Sequence, residues 1–147
     1  MTKTETGIEL WEHVFRHGLS PSLTLEGLQA LARALEADDE HLIQGATTEP
    51  PALNCTRDWL PNGCCAVAYA VWKGSGDPVE TVNLEYIEEG FAEASYQCGK
   101  RLNESSSVRY FLNWYDQTPR NEMRALLLPV VRDVIQRRKD SMVSMSV

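Results

Sequence analysis

Two adjacent cysteines are the most reactive feature of this sequence. Cys64 and Cys65 begin an apolar run, and Asn62 just before them can cap a helix. In that reading both thiols sit in a first helical turn, where the dipole lowers a thiol pKa and favours the thiolate. The opposing reading makes them core residues, together with Cys55 and Cys98. Cysteine packs as a small hydrophobe, and alanines and valines follow the pair at once. Neighbouring helical residues point about 100° apart, so the pair is poorly placed to share one zinc ion.

Glu9, His13 and His17 form a second group, at i, i+4 and i+8. On an α-helix two histidines four apart can reach one zinc ion, and a carboxylate can add a third ligand. The residues between the histidines are Val-Phe-Arg, without the glutamate of H-E-x-x-H. The stripe also lies opposite the apolar residues Ile8, Trp11, Val14 and Phe15, so it reads as a solvated polar face. No metal and no cofactor is expected.

Two further groups suit association. The aromatic segment Tyr110 to Tyr115 includes Trp114 and is flanked by Arg109, Arg120 and Arg124. Such a set can stack bases or form a protein hot spot. Equally, Phe111 and Tyr115 can pack the core with Trp114 at a helix junction. Glu85, Glu88, Glu89 and Glu93 make an acidic ridge that can meet a basic partner or serve as a soluble face. The sequence has no Gly-rich phosphate loop and no G-x-S-x-G elbow.

These groups must be positioned by a chain of 147 residues, enough for one domain with a real core. The longest uncharged apolar run is nine residues, Cys64 to Trp72, too short to cross a membrane. The first residues lack the pattern of a secretory signal, so a cytoplasmic protein with reduced thiols is expected. Net charge is −7, unevenly spread. Through Cys98 there are 5 Lys/Arg against 16 Asp/Glu, a balance of −11; from Gly99 there are 9 against 5, a balance of +4. The acidity disfavours nucleic acid. A basic last third, with Arg120, Arg124, Arg132 and Arg137 to Lys139, keeps that reading as an alternative.

Helical spacing recurs along the chain. A helix is expected from Gly7 to His17, stopped by Gly18. Thr24 caps a second, with Leu23 stapling to Leu28 and an apolar stripe through Leu35. Asp38 to Gln44 is either a further short helix or the continuation of the second one. Ala46 to Pro61 is an irregular connection. The run at about 62–73 is expected to be a central buried helix because of its three alanines, although its valines, Tyr69 and Trp72 also suit a strand. Leu84, Ile87, Phe91, Ala94, Cys98 and Leu102 mark the most regular helix, in which Gly90 and Gly99 either weaken it or admit a close neighbour. Ser105 to Ser107 cap the next. Thr118-Pro119 starts the last, which Pro129 kinks or divides.

The sequence therefore predicts an all-α bundle of five to seven helices in one domain over residues 1–140, followed by a disordered tail over 141–147. It predicts a non-enzymatic domain acting through a protein partner or self-association. A small thiol- or metal-dependent enzyme or sensor is the alternative.

Overall fold

The central apolar run folds as a helix, α3 (Ala66–Lys73), and the other helices close around it. The computed structural model describes residues 8–49, 63–75 and 84–145. In chain order these form α1 (Leu10–His13), a π-helical turn (Val14–Leu19), a 3-10 turn (Ser20–Ser22) and α2 (Leu25–Ala37). Two short strands, β1 (Thr48–Glu49) and β2 (Gly63–Cys64), precede α3; α4 (Leu84–Leu102), α5 (Val108–Gln117) and α6 (Arg120–Met145) complete the chain. The architecture is all-α in one domain, with a single core to which every helix contributes.

Alanine decides the character of α3. Ala66, Ala68 and Ala70 favour helix and leave little side chain between the backbones. Residues 66–70 and Trp72 are buried, and α2 and α4 pack on either side. Two glycines permit the approach. Gly27 of α2 lies against the carbonyl of Ala70, and Gly90 of α4 lies against the side chain of Val71. A methyl group at either position would collide. Gly90 is thus a contact point of α4. The predicted stripe of that helix does face inward, with Leu84, Ile87, Ala94 and Cys98 buried.

The Thr24 cap forms as the sequence predicts. Its hydroxyl oxygen accepts from Gly27 N at 3.0 Å and its O–H donates to Gly74 O at 3.2 Å, tying the start of α2 to the end of α3. At the other end Asp38 takes a left-handed conformation (φ 54°, ψ 52°) and Asp39 N donates back to Ala34 O at 3.0 Å. Helix α2 stops there, so neither a second helix over 38–44 nor one long helix to Gln44 exists. The Asp39 side chain instead accepts from His41 N at 2.8 Å, the kind of local bond by which aspartate diverts a chain from helix.

Two other expectations are corrected, and one of the alternatives for Pro129 is removed. Helix α1 is only four residues long, and the chain continues as a π-turn through Gly18, which is buried. Gly18 is a packing site rather than a stop, because a Cβ there would lie 2.5 Å from Cys98 Sγ and 2.9 Å from Leu102 of α4. Pro129 sits inside α6 without dividing it. Both Pro129 and Ala125, whose carbonyl loses its donor, are exposed, so water can satisfy the orphan. Finally, α6 runs through Met145, so residues 141–145 are helical and not a disordered tail. Once nucleated, a helix extends at small cost per residue, and the Gln136–Asp140 bond (2.9 Å) supports the turn before Ser141.

The connection beyond Glu49 to Asn62, the sequence Gly76-Asp77-Pro78 that reads as a turn, Thr81 and Asn83, near either of which the sequence lets α4 start, and Ser146-Val147 lie outside the described residues.

Candidate functional site

Arginines on α6 reach across the bundle to the ends of other helices, where the last carbonyls have no intrahelical donor. Arg124 Nε donates to Leu35 O at 2.6 Å and Nη2 to Glu36 O at 2.9 Å. Arg120 Nε donates to Asp38 Oδ1 at 2.5 Å and Nη2 to Asp39 O at 2.9 Å. A cation also suits the negative end of the helix dipole. The Arg120 hydrogen bond holds the Asp38 carboxyl below the usual aspartate range. Arg120 and Arg124, expected from the sequence to meet a partner, are therefore engaged in closing α2.

Further along α6 the same device recurs. Arg138 Nη1 donates to Leu23 O at 2.5 Å and Nη2 to Ser20 O at 2.8 Å, clamping the chain where the π-turn and the 3-10 turn end. Between this clamp and the π-turn lies a cavity of about 610 Å³. Arg16, His17, Arg137 and Arg138 bring basic groups to its wall, Glu12 a carboxylate, and Ile8 and Val134 apolar surface. Arg16 bridges Glu12 (2.8 Å) and Asp133 (2.6 Å), and Arg137 shares Asp133 at 2.8 Å. Burial pulls the His17 pKa down, and His13 and Arg16 lower it further. Burial alone lowers that of Arg138.

A second depression, of about 540 Å³, runs beside α5. Its floor is Trp11 stacked on Trp114, with ring centroids 3.7 Å apart and planes within 5°. Tyr110, Asn113 and Gln117 line it at helical spacing, and Pro119 and Glu122 lie at the start of α6. Trp114 is 9% exposed, and Phe111 and Tyr115 fill the core behind it.

The other predicted groups are not gathered into a site. Cys64 is in β2, held between Leu42 and Thr48, and Cys65 is the residue before α3. Neither lies in a helical turn, and both are buried. Burial pushes the Cys64 thiol up to about 12 and the Cys65 thiol up to about 11, opposite to the shift a thiolate nucleophile needs. His13 and His17 stay close across the start of the π-turn at Val14, but Glu9 does not complete a three-residue set with them. Their rings lie 5.0 Å apart at 50°. Among the described residues no group of three or more His, Cys, Asp or Glu side chains could hold a metal ion. Glu88, Glu89 and Glu93 stand exposed on α4, with Glu85 half-buried beside them.

Sequence reasoning missed Arg16 as a site residue and named the second, Arg138, only within the basic end Arg137 to Lys139. A signal existed for the second, because Arg138 takes the next inward position of the stripe Val131, Val134, Ile135. Compared with family models, curated proteins and solved structures, the chain finds no match. Among the described residues no helix is long and apolar enough to cross a membrane.

Proposed function

We propose that this chain is a binding module without catalytic activity, holding an extended proline-rich segment of a protein partner in the groove beside the Trp11–Trp114 stack. The observation that carries this reading is one face of α5, where Tyr110, Asn113 and Gln117 succeed one another along the groove. Tyr110 is 37% exposed and offers a flat, amphipathic surface with little rotamer entropy to lose. Each side-chain amide supplies a donor and an acceptor, which match those of a peptide group. Proline-rich segments are already extended before docking and favour aromatic-lined grooves.

Glu122 at the rim favours a basic residue beside the prolines. The exposed glutamates of α4 and the net charge of −7 attract such a partner at longer range. The alternative of a thiol enzyme is weakened by the burial and the raised pKa of Cys64 and Cys65.

Titration of the isotope-labelled protein with a short proline-rich peptide ending in lysine tests the reading. The indole N–H signals of Trp11 and Trp114 and the amides of Asn113 and Gln117 shift on binding. The exposed double variant Tyr110→Ala/Gln117→Ala loses the response. Groove signals that stay fixed at millimolar peptide overturn the proposal.

A further inference from the structure

Arg138 is half-buried with no counter-charge among the described residues, whereas Arg101, which also donates to neutral oxygens of Gly18 and Ser22, is exposed. Arg120 pairs with Asp38, Arg132 with Glu36, and Arg16 and Arg137 share Asp133. Among the described residues no carboxylate comes within ion-pair distance of Arg138, whose hydrogen-bond acceptors are the two neutral carbonyls of Ser20 and Leu23. A guanidinium carries five N–H donors, so donors remain after those two bonds. Arg138 is half-buried, and taking a charge out of water without a counter-ion is costly. The charge is nevertheless held rigidly in the wall of the 610 Å³ cavity.

The charges around that cavity define what fits. Arg16, Arg137 and Arg138 stand against Glu12 and Asp133, three cations against two anions, which leaves one positive charge. Ile8 and Val134 give the same cavity apolar wall. The volume lies within the roughly 300–1,000 Å³ range of small-molecule sites. A π-turn forms one side, a rare conformation that recurs at functional sites.

We infer that the cavity between the π-turn and α6 binds a small organic monocarboxylate, its carboxylate on Arg138 and its apolar body against Ile8 and Val134. One negative charge neutralises the site, whereas a dianion overshoots it. Guanidinium forks match carboxylate geometry, and the charge-assisted bonds are about twice as strong as neutral ones. The cavity shares no lining residue with the α5 groove, so the two proposals stand or fall separately.

Benzoate and its uncharged isostere benzamide are suitable probes, followed through the methyl signals of Ile8 and Val134 and the Nε–H signal of Arg138. Benzoate binds about tenfold more tightly than benzamide and displaces inorganic phosphate, which lacks an apolar body. Ser141 is exposed and lines the cavity, so Ser141→Glu supplies the missing carboxylate without disturbing the clamp. That variant keeps its melting temperature and loses benzoate binding about tenfold, while Ser141→Lys strengthens it. Arg138→Gln abolishes binding; should it fail to fold, Ser141→Glu decides alone. Equal affinity for benzoate and benzamide, tighter binding of phosphate, or unaltered benzoate affinity in Ser141→Glu overturns the inference.

Discussion

Arg124 and Arg138 stand on the same helix and do the same mechanical work, yet they leave different chemistry behind. Each spans two backbone carbonyls at the end of another helical segment. At the α2 end Asp38 completes the arrangement, 2.5 Å from Arg120 and 3.7 Å from Arg124. At the end of the π-turn no carboxylate among the described residues reaches Arg138. Carbonyls satisfy the hydrogen bonds of a guanidinium but not its charge. With a counter-ion the clamp is a closed staple, and without one it leaves an open site.

Methionine substitutions put the largest strain on this comparison. Arg124→Met strips donors from Leu35 O and Glu36 O and takes a cation from Asp38, at a cost of about 2 kcal/mol. Arg138→Met also loses two bonds but removes a desolvated, uncompensated charge, so its cost is about 1 kcal/mol. Urea unfolding of both variants measures the gap. If Arg138→Met is the more damaging, the distinction between staple and site collapses.

Acid titration sharpens the comparison with a smaller effect. The folded Asp38 carboxyl lies below the ordinary aspartate value of 3.8, so its contribution is present above that value and is lost as pH falls through the folded pKa. Among the described residues Arg138 has no such partner. In melting curves from about pH 5 down to about pH 2, Asp38→Asn therefore loses less stability than the parent protein over the same interval. Asparagine tolerates the left-handed backbone at that position, which keeps the test clean.

The smallest effect concerns the open site. His17 lines the cavity, and its pKa is held below 6.5 by burial, His13 and Arg16. It is neutral at pH 7 and adds a positive charge when the pH falls through its lowered pKa. Benzoate affinity then rises, by about threefold for an exposed and well-screened ring. His17→Gln flattens that rise; an unchanged pH profile in the variant removes His17 from the site.

Much of the scaffold was legible because it depends on local chemistry. Thr24 announces its cap, and the stripe from Leu84 to Leu102 announces α4. The alanines of α3 outweigh its valines once helices lie on both sides. The misreadings fall where a distant residue intervenes. The end of α2 at Asp38 is held by Arg120, 82 residues away in sequence. Gly18 in the π-turn is packed under Cys98 and Leu102 of α4, and Cys64 is paired with Leu42 and Thr48 of the segment before it.

By itself, then, the sequence determined that the fold is all-α, where α2 to α6 lie to within a turn or two at their ends, which faces are apolar and that the apolar run lies at the centre. Caps, periodicity and propensity act over a few residues, so a linear reading captures them. Tertiary structure alone decided what the arginines do. A guanidinium on a long side chain can reach a carboxylate, a carbonyl or water, and the choice depends on which helix end is brought within its span. That choice made Arg120 and Arg124 part of the scaffold and left Arg138, at one more inward position of an ordinary apolar stripe, with a charge to share.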